Sequence, residues 1–388
     1  MLRILGVDPG TKTFDLVVLE NGVVKAEKSI ETVAIAKDPG TLIEAIEAQE
    51  VDYIVAPSGY GVPVTRGSEV LEPRRFAVEL LLLSTEEDIR RGVEAGEPGI
   101  WVYDALAKAV EYLVKKYSDK VLFLPSVILL PTVPVYRKLN KIDMGTVDKL
   151  AATFVAVHSF SEEESVDYSK VNMVVAELGY GYNAVIAVAN GKIVDGIGGT
   201  YASIGTLTAG ALDLEAVVRV EHWDRWDVFH GGIFYYVKTF DLEVLAKAFE
   251  KSEEPLASYF KGFVEAIAKD IMRALIATPR AEAVVLTGRH SKVETVKKLL
   301  QELVKDIDIV GVKPIKGAQI SKEAAQGYAA VGDGVLGGVF SELAKHMEID
   351  RACGTTVDYL VHEKLKKFRE RVQRAYIELV KNPKICRE

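Results

Sequence analysis

Two stretches of this 388-residue sequence carry the same signals in the same register. Leu2 to Asp8 is an apolar, β-branched run that closes on an acid, and Pro9-Gly10-Thr11 supplies turn chemistry. Phe14 to Glu20 reads as a second strand ending at Asn21-Gly22, a strong hairpin signal. Far downstream, Val174 to Glu177 leads into Leu178-Gly179-Tyr180-Gly181, and the strand Ala184 to Ala189 again ends at Asn190-Gly191. Glu177 follows Asp8, Gly179 follows Gly10 and Asn190 follows Asn21 by the same 169 residues. Three matches without a gap, at corresponding strand ends, predict a duplicated unit.

Helices alternating with short strands follow each hairpin. Thr41 to Gln49 and Tyr259 to Ala277 have helical spacing, and Val51 to Ala56 and Ala283 to Leu286 read as strands. The pattern predicts an α/β chain of two halves with mixed sheets and a cleft between them. The expected domains are 1–165 and 166–340, divided at the polar stretch Ser161 to Ser165, with a helical extension over 341–388. The helix Glu363 to Lys381 is expected to pack across the second domain.

Composition narrows the function. Lys plus Arg is 48 against 56 for Asp plus Glu, a net charge of −8. That balance argues against a bulk interaction with nucleic acid, which needs a basic face. Cys353 and Cys386 are the only cysteines, too few for a disulfide framework or an all-thiolate metal site. The longest apolar run, Val121 to Val135, is broken by Pro125, Pro131 and Pro134, so no membrane partner and a cytoplasmic location are expected.

The duplicated loops carry the chemistry. Backbone N–H groups in a small loop can point at phosphate, and a strand-end acid can hold a hydrated divalent cation. Gly10, Thr11 and Lys12 on one side, with Gly179 and Gly181 on the other, would clamp a phosphate between Asp8 and Glu177. Either loop alone could be an ordinary turn; the pair at matched offset carries the argument.

Leu5 to Thr11 resembles the first phosphate motif of the superfamily of acetate and sugar kinases, heat-shock chaperones and actin. Val175 to Gly181 resembles its second phosphate motif, and Val284 to Arg289 its adenosine motif. Ala324 to Ala330 is similar to the small-residue helix between the domains, and Asn140 to Lys149 sits where the first connecting helix should begin. The nearest resemblance is to an archaeal family described as butyrate-kinase-like. It implies two ribonuclease-H-like domains, ATP in the interdomain cleft and contacts to nucleotide from Thr287, Gly288 and Arg289.

Asp15 departs from that pattern. Carboxylate kinases of this type carry a basic residue there, facing the transferred phosphate. Asp8, Asp15 and Glu177 together are expected to hold Mg²⁺ or Mn²⁺, with two such ions activating water. Asp15 is equally expected to meet solvent or a nearby lysine. Asp143 and Asp148 are candidate general bases beside Asp8, or else caps on a helix start near Thr146. The first reading is therefore a metal-dependent hydrolase of phosphoryl groups acting on a small phosphorylated molecule or nucleotide. The alternatives are an ATP-dependent carboxylate kinase, a nuclease resembling Holliday-junction resolvases, and a non-catalytic nucleotide sensor. Pro57 to Pro63 could line a substrate pocket. His222 to Asp227 with His230 reads as a contact surface between domains or subunits, consistent with a homodimer.

Overall fold

The computed structural model describes residues 2–386. β1 (Arg3–Pro9), β2 (Thr13–Glu20) and β3 (Val23–Glu31) run antiparallel in succession. β4 (Tyr53–Val55), β5 (Thr65–Arg66) and β6 (Val121–Phe123) complete a six-stranded sheet in the order β3-β2-β1-β4-β6-β5. β7 (Met173–Leu178), β8 (Asn183–Ala189), β9 (Lys192–Gly198), β10 (Ala283–Thr287) and β11 (Asp308–Gly311) form a second sheet. Its order is β11-β10-β7-β8-β9. Read from the other edge it reproduces β3-β2-β1-β4-β6 strand for strand, so the sequence repeat is a repeat of topology. The irregularities match as well. The register slips between Val18 and Leu19 in β2 and between Ala187 and Val188 in β8, positions again 169 residues apart. Asn21-Gly22 and Asn190-Gly191 both turn at positive φ, as the tight hairpin requires.

Two helices join the halves. Val147–Glu164 leaves the first domain, and Glu323–Val335 returns to pack on β1, β2 and Val147–Glu164. The small residues of the returning helix have a steric cause. A Cβ at Gly6 would sit 2.5 Å from the backbone nitrogen of Ala329, and one at Gly327 would overlap the Ala151 carbonyl. Backbones approach this closely only where side chains are absent. Residues 323–335 therefore pack on the first sheet although they fall in the 166–340 stretch. Phe154, Val175, Ile186 and Tyr328 are fully buried in the core between the domains.

The C-terminal extension departs from expectation. The last helix, Lys366–Leu379, buries Val372, Ala375, Tyr376 and Leu379 in the core of the first domain, not the second. Its apolar stripe meets residues 73–81, which the first domain leaves uncovered beside β6, and Arg75 pairs with Glu378 at 2.8 Å. Cys353 and Cys386 form a single disulfide. The chain doubles back after the last helix, so Lys384 accepts from Gly354 N–H at 2.7 Å and the two sulfurs meet. Among the described residues no helix is long and apolar enough to cross a membrane.

Candidate functional site

Asp8 near the end of β1 and Glu177 near the end of β7 both line the cleft. The loops beyond them face one another: a Cβ at Gly181 would lie 3.3 Å from the Thr11 methyl. A continuous cavity of about 460 Å³ runs from these loops into the first domain. Asp8, Gly10, Thr11, Lys12, Asp143, Asp148, Glu177, Gly179, Gly181, Thr287, Gly288 and Arg289 all line it. The structure thus gathers every expected site residue except Asp15 around one cavity.

Asp15 lies opposite Asp8 in the β1–β2 ladder, but its carboxylate serves a different purpose. It accepts from Ser29 Oγ at 2.7 Å and from Lys322 N–H at 3.2 Å, and so caps the start of the returning helix. Glu27 on β3 accepts from the N–H groups of Gln319 at 2.9 Å, Ile320 at 3.1 Å and Ser321 at 3.1 Å. Together these acids seat Lys322 so that its Nζ lies 2.6 Å from Asp8 and donates to the Thr13 carbonyl at 3.1 Å. A Cβ at Gly10 would collide with that ammonium. Lys322 thus sets an ammonium beside Asp8 and Gly10.

A second lysine sits across the cleft. Lys149 contacts Asp148 and lies 3.1 Å from Glu177, bridging the helix Val147–Glu164 to the second phosphate loop. The expected metal trio is thus divided between two lysines and a helix cap. Among the described residues no three His, Cys, Asp or Glu side chains are grouped to hold an ion. Asp8 Oδ1 nevertheless has no hydrogen-bond partner although buried, so with Glu177 it suits a hydrated Mg²⁺ arriving with phosphate, which keeps several of its waters.

Burial sets the protonation of these acids. It pushes Asp8 up to about 6 against the pull of Lys322, and Glu177 up to about 7 against the pull of Lys149. Burial also raises Asp143 to about 6, opposed by the Gly145 N–H that it accepts at 3.0 Å. Asp148 goes the other way, because Lys149 and Thr146 outweigh its burial. Asp143 and Asp148 accordingly diverge. Asp148 is tied to Thr146 and Lys149, while Asp143 packs on Gly198 and Gly199 of the second domain.

The raised acids predict a pH effect on stability. Glu177 binds its proton more tightly folded than unfolded, so its contribution is complete below pH 4.5 and lost as pH rises through about 7. At about 1.4 kcal/mol per pH unit this interval is worth roughly 3 kcal/mol. Urea unfolding of the wild type should therefore lose about that much more than Glu177→Gln between pH 4.5 and 8. Parallel profiles for the two proteins would refute the assignment.

At the nucleotide-like end, Gly288 turns at φ 87°, and Thr287 Oγ1 donates to Glu323 at 3.0 Å. Arg289 reaches Thr13 Oγ1 at 3.4 Å and Lys12 lies over the Tyr180 ring at 5.0 Å. At the opposite end, the segment Asp224 to His230 crosses from the second domain onto the first. Asp224 pairs with Arg91 at 2.6 Å and His230 with Glu97 at 3.2 Å. The aromatic patch is thus a contact between domains.

Sequence reading missed Lys322, Lys149, Glu323 and Arg225. Lys149 stood within a quoted motif; Lys322 directly precedes the small-residue helix. Most of the groups they meet lie on other elements, Asp8 for Lys322, Glu177 for Lys149 and Tyr103 for Arg225, which spacing along the chain does not reveal.

A family profile described as "Protein of unknown function (DUF1464)" matches residues 6–362. The chain belongs to that family. No curated protein matches it. Among solved structures it is similar to Porphyromonas gingivalis acetate kinase, at 13% identity and a TM-score of 0.55, over 87% of this chain and 100% of that one. A propionate kinase from Francisella tularensis subsp. tularensis SCHU S4 is similar at 14% identity and a TM-score of 0.54, over 85% and 98%. At these identities the likeness establishes the fold, two actin-like α/β domains around a cleft.

Proposed function

We propose that this protein is an ATP-dependent phosphotransferase of the carboxylate-kinase type, as its resemblance to the butyrate-kinase-like family implies. The observation that carries this reading is Lys322. The case for hydrolysis rested on Asp15 standing where a kinase has a cation, and Lys322 supplies that cation beside Asp8 and Gly10. Among the described residues the acids also form no cluster of the kind that two-metal activation of water uses.

In this reading the loops at Gly10 and Gly179 hold the phosphates, and Thr287, Gly288 and Arg289 face the nucleoside. Asp8 and Glu177 would hold a hydrated Mg²⁺, which would supply charge neutralisation on the phosphates. An acceptor carboxylate oxygen attacks the γ-phosphorus while the bond to the β-phosphate oxygen breaks, giving an acyl phosphate and ADP. Lys322 stabilises charge on the phosphoryl group in flight. A carboxylate is already deprotonated, so Asp143 and Asp148 need not act as bases. Asp148 instead fixes Lys149, and Asp143 joins the two domains.

Trapping with hydroxylamine tests the proposal. ATP, Mg²⁺ and a panel of carboxylic acids should yield hydroxamate and ADP together, with little ADP when the acid is omitted. Phosphate release indifferent to the acid would favour the hydrolase, and nucleotide binding without turnover would favour the sensor.

A further inference from the structure

Behind the far end of the cavity sits a partly buried cation whose own hydrogen bonds go to neutral oxygens. Arg225 comes from the crossing segment, and the charged and polar groups that dominate its surroundings are three phenols, Tyr103, Tyr60 and Tyr182. Asp224, its neighbour in the chain, is committed to Arg91 at 2.6 Å. Arg225 donates to the Leu82 carbonyl at 3.0 Å, Ser84 Oγ at 3.2 Å and the Tyr103 hydroxyl at 3.1 Å. Neutral oxygens therefore fix the guanidinium without neutralising it, so its charge remains available to a ligand.

The phenols pass that charge to the cavity. Tyr103 oxygen accepts from Arg225, so its own proton is directed elsewhere. Tyr60 hydroxyl lies beside the same guanidinium. Neither hydroxyl donates to a protein acceptor among the described residues, whereas Tyr182 gives its proton to the Val228 carbonyl at 2.9 Å. Tyr60 and Tyr103 both line the cavity. Two polarised O–H donors in front of a fixed cation form a receptor for one anion.

The walls around this receptor are apolar and aromatic: Leu82, Trp101, Val102, Leu106 and Phe229. Phe229 meets Tyr103 edge-on with ring centroids 5.2 Å apart. The two acids at this end are already engaged, Glu97 by His230 at 3.2 Å and Asp143 by the Gly145 N–H at 3.0 Å. Rings gain most from such a setting, through area buried and edge-to-face contact. A short acid such as acetate would leave most of these side chains untouched.

We propose that the far end of the cleft binds a carboxylic acid with an aromatic or comparably bulky apolar body, its carboxylate held by Tyr60 and Tyr103 in front of Arg225. The inference rests on the kinase reading for the acid's role as acceptor, but its binding is separable and can be measured without nucleotide.

Isothermal titration calorimetry with phenylacetate, acetate and 2-phenylethanol tests it. Phenylacetate should bind at least about tenfold more tightly than acetate, from the buried ring, and about tenfold more tightly than the neutral alcohol. Tyr60→Phe and Tyr103→Phe should each weaken phenylacetate by about tenfold and leave 2-phenylethanol within about twofold. These variants keep the rings, and thermal melting matching the wild type confirms that they fold. Equal affinity for acetate would overturn the bulky acceptor, and equal affinity for the alcohol, or unchanged binding in both variants, would overturn the anion receptor. Selective phenylacetate binding without hydroxamate formation would leave the receptor standing and refute the kinase reading.

Discussion

Lys322→Met should lower kcat for acyl phosphate formation by about 10²- to 10³-fold, the cost of removing one fixed donor from a developing phosphoryl charge. The ammonium lies 2.6 Å from Asp8 and keeps a side-chain exposure of 21%, so it is anchored at one end and open to a phosphate at the other. It is positioned before substrate arrives, by Asp15 on its backbone N–H at 3.2 Å and by the Thr13 carbonyl at 3.1 Å. Because the charge on the phosphoryl group spreads in the transition state, kcat should fall more than KM rises. Lys322→Arg should recover less than about tenfold of the loss: a planar fork does not replace a compact ammonium packed where Gly10 has no side chain. Steady-state kinetics of both variants, with ATP binding measured separately, provide the check. A kcat within about threefold of wild type for Lys322→Met would remove this residue from the proposed machinery.

The fold was legible because duplication multiplies weak signals. One Asp-Pro-Gly-Thr turn predicts little, but the same offset at Asp8, Gly10 and Asn21 predicted both sheets, and the matching slips at Val18 and Ala187 bear this out. The phosphate loops were legible for the same reason. The cations were not. Lys322 meets Asp8 over more than three hundred residues of chain, and only the return of the small-residue helix to β1 brings them together. Asp15 was open to two readings, metal ligand or partner of a nearby lysine, because its charge was visible while the Lys322 N–H that it caps and the Lys322 ammonium 3.9 Å away were not. The last helix was assigned to the wrong domain because an amphipathic stripe shows that a face is buried but not what buries it.

Lys149→Met should cost about 3–5 kcal/mol in stability, the range expected when one partner of a buried pair is removed. Lys149 is 11% exposed in its side chain, contacts Asp148, and lies 3.1 Å from Glu177, itself 11% exposed. Removing the ammonium leaves two carboxylates facing each other across the domain junction. Burial already holds Glu177 near 7, so the variant should bind a proton there more tightly still. Its deficit should consequently be largest above pH 7 and shrink toward pH 5, where the acid is neutral in either protein. A second change tests the cause. Glu177→Gln in the Lys149→Met background should restore about 1–2 kcal/mol, since a neutral amide no longer needs the cation and Asp148 keeps its bond from Thr146. Strict additivity of the two changes would mean that Lys149 acts through packing alone. Coupling of opposite sign to the single losses would place the charge bridge between the helix Val147–Glu164 and the second phosphate loop at the centre of how the two domains are held in register.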